Sequence, residues 1–340
     1  MQKVGIKALR RVPYQGVVHN LEVDSPVHDE KNYVAAGVVV HNCYQDSKPG
    51  QPHADIQLLE TLFGGLDLPP YQIALGGGEP CEHPDLPDWL RFIRGKETVP
   101  SFTTAGHRFR SEVIDATNEV CGGVALTFHR HAGIKRFCRV YREWSEALAP
   151  HVQLNIHVIA KKDVVEALDE LRTLLPTRSG DGHGVRIVLL AYYPDVGRAS
   201  WVDAMSKDTY NTKLPQAIQA IKAWGADVAF SDGLGPYFMF RNLVDTTSLF
   251  PMEGTFSCYI DRYGRMYPSS FEAQDVPPEA GSRSIHTHRT QELWEKYHHS
   301  DSYPDGPACD RCPARWRCPG RNFSHVALCG QHWFNRKETA

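Results

Sequence analysis

The chain has no strong charge of either sign: 37 Lys and Arg against 40 Asp and Glu leave a net −3 over 340 residues. That balance argues against an electrostatic grip on nucleic acid or on an anionic membrane surface. No apolar run approaches the ~20 residues that cross a bilayer. The start, MQKVGIKALRR, lacks the apolar centre of a secretory signal. The expectation is a cytoplasmic protein with neither membrane nor nucleic acid as partner. There is no internal repeat of fixed period and no low-complexity tract. Cysteine is absent before Cys43 and then sparse, at Cys81, Cys121, Cys138 and Cys258, until four crowd into 21 residues, Cys309, Cys312, Cys318 and Cys329. Nine thiols so unevenly placed, in a chain with no export signal, read as metal or cluster ligation and not as a disulfide framework.

Against these absences stands a clear change of rhythm. Residues 1–42 are strand-like, with β-rich pieces at GVVHNLEV and NYVAAGVVV. Residues 43–245 alternate strand and helix. Strands are predicted at 71–77, 100–106, 122–128, 152–160, 185–193 and 227–232. HPDLPDWLRFIR carries Leu86, Trp89, Leu90 and Ile93 on one helical face. KDVVEALDELRTLL carries Val164, Leu168, Leu171 and Leu175, with Asp163 and Glu166 spaced as a capping box. LPQAIQAIKAWG has Pro215 near its start and Gly225 as its stop. Repeated β-then-α with short apolar strands predicts a parallel sheet covered by helices, with chemistry on the loops after the strands. Residues 246–340 are irregular and rich in Pro, Gly, His and Cys, as suits a small domain held by metal.

The apolar run GVVV ends in His41-Asn42-Cys43. An Asn side-chain amide can attack its own backbone carbonyl, closing a succinimide and cutting the chain after it, while a neighbouring His protonates the leaving amine. A Cys thiolate in the next position can accept an acyl group before that cut. An ordinary β-hairpin ending in a polar turn offers the same tripeptide. Its setting, VVHNLEVDSPVHDEKNYVAAGVVVHNC, resembles the C-terminal end of inteins over residues 14–43. It departs from that pattern at Asn20, where Asp is common, and at Lys31, where His is usual. The resemblance implies that Asn42 cyclises, His41 assists, and Cys43 is both acceptor nucleophile and first host residue. The N-terminal half of such an intein would come from another fragment.

Read from Cys43 onward, the host contains YQIALGGGEPCEHPDLPDWL. Glycines let a backbone pass close to a ligand, Glu79 can take a cation such as an amino group, and Pro80 stiffens the turn. No Lys-Ser/Thr follows, as a nucleotide-binding P-loop demands, and a plain βα turn is the alternative. The pattern resembles the radical S-adenosylmethionine superfamily, whose GGEP turn matches Gly77, Gly78, Glu79 and Pro80. Its CxxxCxxC loop follows the first strand, and Cys43-Tyr44 fits the third cysteine and its aromatic neighbour, with the first two cysteines absent. The resemblance implies a [4Fe–4S] cluster on three thiolates, one of them Cys43, with an open iron that binds S-adenosylmethionine. By the same match the turn's backbone holds the methionine amino group, Thr127 meets the ribose and Asn155 is a contact on the fifth strand. For those last two the alternative is an ordinary satisfied strand residue. His129 and His131 read as solvent-facing more readily than as a metal pair, Cys81 as an inert thiol, and Cys121 and Cys138 as core.

The last cysteines have the spacing C-x2-C-x5-C-x10-C. Four such thiolates suit either structural Zn or a [4Fe–4S] cluster. With FSCYIDRYGRMYPSSF upstream, the region resembles the SPASM extension of radical enzymes that modify peptides. Cys258 and Gly264 fit that pattern, while Ser269 and Asn322 stand at cysteine positions. The resemblance implies one auxiliary cluster on Cys309, Cys312, Cys318 and Cys329.

The combined expectation is an α/β chain: a partial (β/α)6 TIM-like barrel of the radical S-adenosylmethionine type at 43–245, its first strand missing. A small all-β intein fragment precedes it at 1–42, and an irregular Fe–S domain follows at 246–340. The partner is an upstream fragment bearing the other intein half and Cys-x3-Cys-x2, and the substrate a peptide or protein. The unspliced chain is expected to be inactive. The alternative is an inactive fragment or a Zn-stabilised binding protein.

Overall fold

The helical periodicity read from the sequence is realised in packing. In α2 (Leu86–Gly95) the residues Leu86, Trp89, Leu90 and Ile93 are all buried. In α5 (Val164–Leu174) Val164, Leu168 and Leu171 do the same. The capping box expected there does not form: Asp163 makes no side-chain cap. Its carboxylate lies 3.8 Å from Lys161 and 3.8 Å from Arg130 instead. In α6 (Leu214–Trp224) the predicted stop is met, with Gly225 at φ +100°, a left-handed conformation that costs a side-chain-bearing residue energy.

The computed structural model describes residues 37–39, 53–175, 184–192, 201–206, 208–231, 257–267 and 283–297. All lie in one compact unit, Val34–Ala340. His41, Asn42, Cys43, Cys309, Cys312, Cys318 and Cys329 fall outside the described residues.

The remaining helices are α1 (Gln57–Gly64), α3 (Ser111–Val120), α4 (Ile134–Ala147) and α7 (Thr290–Tyr297). The strands are β1 (Gly37–Val39), β2 (Gln72–Leu75), β3 (Val99–Thr104), β4 (Gly123–Phe128), β5 (Gln153–Ala160), β6 (Arg186–Ala191), β7 (Asp227–Phe230), β8 (Ser257–Ile260) and β9 (Met266–Tyr267). They form one sheet in the order β7-β6-β5-β4-β3-β2-β1-β8-β9. Every neighbouring pair is parallel except β8 with β9. From β2 to β7 each strand steps to the same side of the one before. Because parallel crossovers are right-handed, a constant step puts all connecting helices on one face and leaves the other free.

Side-chain burial follows this division. Phe102, Val124, Leu126, Phe128, Ile156, Val158, Ile187 and Leu189 are buried with the helices. Phe128 meets Phe137 of α4 at 4.9 Å between ring centroids. The alternate residues point to the opposite face. Register aligns Thr103, Ala125, Asn155, Arg186 and Asp227 in one row, and Thr127, His157 and Val188 in the next row toward the strands' C-terminal ends. Arg186 bonds Gln153 at 2.8 Å and lies 3.6 Å from Asp227.

The sheet position before β2 is filled by Gly37–Val39, parallel to β2 on one side and β8 on the other. The physical reason is the edge itself, whose unpaired N–H and C=O groups take up the nearest tethered β-branched segment. The segment after the core returns to it at α7, where the Thr290 hydroxyl donates to Leu62 O at 3.0 Å and Gln291 N to Gly65 O at 2.9 Å. No helix among the described residues is long and apolar enough to cross a membrane.

Candidate functional site

The Gly-rich turn leaves β2 at its C-terminal end. Gly77 has φ +116°, and a Cβ built there would meet nothing within 4 Å. The turn is thus reserved for glycine by backbone conformation, and the space beside it is open to a ligand.

What fixes the turn is Glu79, and its carboxylate faces the protein. One oxygen accepts from the Thr104 hydroxyl at 2.5 Å and from Cys81 N at 3.1 Å; the other accepts from Ala105 N at 2.8 Å. Thr104, fully buried at the end of β3, in turn accepts from Gly106 N at 2.9 Å. Its hydroxyl is therefore donor and acceptor at once, and it ties the turn after β2 to the turn after β3. The side chain that the sequence offered as a cation binder is committed to this clamp, which leaves the turn's backbone to meet a ligand.

A second clamp holds the residues just beyond. Arg110 donates to His83 O at 3.0 Å, Pro84 O at 3.2 Å and Cys81 O at 3.5 Å. His83 accepts from Asp85 N through Nδ1, so its Nε2 carries the proton that bonds Ala54 O at 2.9 Å. Cys81 sits fully buried beneath, and desolvation, reinforced by the Glu79 charge, pushes its thiol up to about 12. The expected inert thiol is what burial produces. Cys121 is likewise buried and pushed up to about 12, and Cys138 is half-buried. Cys258 is buried within β8.

At the C-terminal ends of β3 and β4 lies a narrow cleft lined by Ala105, His107, Thr127, His129, Arg136 and Phe137 among others. Thr127 is 7 % exposed and its hydroxyl has no hydrogen-bond partner among the described residues. Asn155, on the neighbouring strand one row below, has a buried Oδ1 that is equally unpartnered among them. Each orphan costs about 1–3 kcal/mol, which a ligand carrying hydroxyl or N–H groups would recover. His129 is held down to about 4, first by desolvation and then by the charges of His131, Lys161 and His107, so it is neutral near pH 7. Its ring lies 5.5 Å from that of exposed His131. Among the described residues no group of three or more His, Cys, Asp or Glu is placed to hold a metal ion.

Thr104, Ala105 and Arg110 were not singled out from sequence. Their partners are 25 to 29 residues away, and only the parallel pairing of β2 with β3 brings them together.

No protein-family model matches the chain, and no curated protein does. Solved structures do resemble it. SuiB from Streptococcus suis bound to the precursor peptide SuiA aligns with a TM-score of 0.60 at 11% identity, covering 88% of this chain and 74% of that one. SuiB bound to S-adenosylmethionine aligns at 0.59 and 10% identity, covering 86% and 73%. The anSMEcpe structure with bound AdoMet and the Kp18Cys peptide aligns at 0.56 and 14% identity, covering 90% and 98%. The parallel sheet described above, with its helices on one face, is a partial-barrel α/β fold shared with these structures.

Proposed function

We infer that this chain is a C-terminal intein fragment fused to most of a radical S-adenosylmethionine enzyme that acts on a peptide, completed by protein splicing between Asn42 and Cys43. The observation that carries the enzyme reading is the rim of the sheet. An open glycine backbone at Gly77 and two buried polar atoms without a hydrogen-bond partner among the described residues, Thr127 Oγ1 and Asn155 Oδ1, border the same end of the fold. An amino acid's ammonium group fits free backbone carbonyls, and ribose hydroxyls fit the two orphans. Gly77, Gly78, Glu79 and Pro80 would present the turn, with Glu79 acting through its clamp. Cys43 would supply one thiolate to the [4Fe–4S] cluster, and Cys309, Cys312, Cys318 and Cys329 would hold an auxiliary one. Strand β1 runs toward the rim that bears the GGGEP turn, and the four residues from Val39 to Cys43 span at most about 14 Å. When bound, the cluster and S-adenosylmethionine supply a radical that abstracts hydrogen. The chain's own residues hold the cofactor's ends and keep water from it. The peptide substrate rests on the neighbours SuiB and anSMEcpe, both solved with peptides.

Splicing uses only this chain's atoms and an acyl group from the partner. The Cys43 thiolate takes that acyl group from the upstream fragment's thioester, and the displaced thiolate is protonated. The Asn42 side-chain nitrogen then attacks the Asn42 carbonyl carbon, closing a succinimide and breaking the Asn42–Cys43 bond. His41 delivers a proton to the leaving amine. That amine attacks the thioester on its own sulfur, leaving a normal peptide bond and a free thiol for the cluster. No oxidant or reductant is needed.

Mass spectrometry of peptides released by a lysine-specific endoprotease that also cuts before proline, those ending in CYQDSK, residues 43–48, tests the splice. The expected peptide joins Cys43 to foreign sequence carrying Cys-x3-Cys-x2; if only NYVAAGVVVHNCYQDSK is found, the splicing reading is wrong. Iron and acid-labile sulfide in anaerobically prepared spliced protein test the rest. Zn without sulfide would exclude radical chemistry.

A further inference from the structure

The excised segment and the retained enzyme share a sheet, and this has a consequence for assembly. Gly37, Val38 and Val39 pair with Gln72, Ile73 and Ala74 of β2, and Gly37 and Val38 also pair with Ser257 and Cys258 of β8. The second edge of β2 is taken by β3 and that of β8 by β9. Removing Gly37–Val39 therefore opens two facing edges at once. Neither is suited to water: Ile73 is 2 % exposed, and all four residues of β8 are buried. Buried N–H and C=O groups without partners are rare because each costs about as much as a lost hydrogen bond. The gap demands an occupant.

We propose that β2 and β8 form a slot for one parallel strand of the upstream fragment, and that Gly37–Val39 is a placeholder exchanged for it. This rests on the splicing reading, by which residues 1–42 leave the enzyme. The occupant's chemistry follows from the slot. It must run parallel to β2 and β8, so that its following residues emerge at the end of the sheet where the GGGEP turn lies. Buried walls on both sides require an apolar, β-branched strand. In Cys-x3-Cys-x2-Cys43 the two missing cysteines stand seven and three positions before Cys43, so the incoming strand must end at least eight positions before Cys43, earlier in its chain than Val39 does in this one. The placeholder already satisfies the same backbone groups, so neither edge need face water while one strand replaces the other.

Hydrogen–deuterium exchange on the full chain tests this in the Asn42→Ala background, where the junction stays intact. Adding Val38→Pro removes an N–H from the ladder and is expected to speed exchange at Ile73–Leu75 and Ser257–Cys258 at least about tenfold. Unchanged protection at Val124–Phe128 serves as the control that the sheet is folded. A synthetic VAAGVVVHN peptide, residues 34–42, added to the doubly substituted chain is expected to restore that protection saturably. It shows that the slot takes a strand from a separate molecule. Equal exchange with and without Val38→Pro, or no rescue by the peptide, would overturn the proposal. Should the proline variant lose the central control as well, the wild-type chain cleaved after Asn42 replaces it. Its two strands should then lose protection on dilution and regain it with the peptide, and protection that survives dilution counts against the slot. Cleavage after Asn42 in the wild-type chain is scored separately by intact mass. Cleavage without a slot sinks only the exchange; a slot without cleavage sinks the splicing reading and makes Gly37–Val39 a permanent strand.

Discussion

Thr104→Val is the most telling single change. Valine keeps the shape of threonine and removes only the hydroxyl that donates to Glu79 and accepts from Gly106 N. The lost bond to a carboxylate is worth about 1.5–3 kcal/mol and the orphaned Gly106 amide another 1–3 kcal/mol. Glu79 keeps Cys81 N and Ala105 N, and the new methyl recovers about 0.8 kcal/mol. A net local loss of about 2–5 kcal/mol remains. Two kcal/mol corresponds to about 30-fold faster exchange of the Ala105 and Gly106 amides. Hydrogen exchange resolved to those two amides is the assay, with Thr104→Ser as the comparison, because serine retains the hydroxyl. S-adenosylmethionine binding by calorimetry should weaken in the valine variant and hold in the serine variant. If serine and valine exchange equally fast, packing and not the hydroxyl sets the turn, and the clamp argument is refuted.

Other outcomes are equally open to measurement. Thr127→Val should stabilise the ligand-free protein by about 1 kcal/mol in urea unfolding while weakening S-adenosylmethionine binding about tenfold; a loss of stability would mean the hydroxyl is already satisfied. Gly77→Ala places a side chain at φ +116° and should abolish measurable binding of S-adenosylmethionine at a local strain of about 1–3 kcal/mol, with the fold intact by circular dichroism. His129 titrates near 4 folded and 6.5 in the unfolded chain. The unfolded chain alone therefore takes up this proton between those values. Stability is full above 6.5 and falls by about 3 kcal/mol as pH drops toward 4. His129→Gln should flatten that part of the urea-midpoint profile against pH. Asn42→Ala should leave Cys43 acylated but unreleased, visible as a branched species by intact mass.

The helices and strands that carry their own pattern were legible. Leu86, Trp89, Leu90 and Ile93 marked α2 because a single face is buried, and the alternation of short apolar strands gave the parallel sheet. Helix α4 was missed although Phe137, Val140, Tyr141 and Trp144 carry the same spacing and are buried. Its many charged residues hid a face that only needs one residue in three or four. The GGGEP turn was visible as glycines, but the clamp that shapes it was not, since Thr104 and Arg110 become its partners only through strand register. The capping box shows the converse: local spacing was right, yet Asp163 makes no side-chain cap. Nor could spacing place Gly37–Val39, because pairing along an open edge depends on which edges the rest of the sheet leaves exposed.

Among the described residues, the hydrogen bonds that shape the GGGEP turn and the loop after it come from Ala54 or later: His83 to Ala54, Glu79 to Thr104 and Ala105, Arg110 to three carbonyls. None of these groups belongs to residues that splicing would bring or remove. The turn is thus a rigid receptor built in advance of its cofactor. A fragment arriving with a strand and two thiols would have to order only itself, so the rate of enzyme maturation should track encounter between the two polypeptides and not refolding of this one.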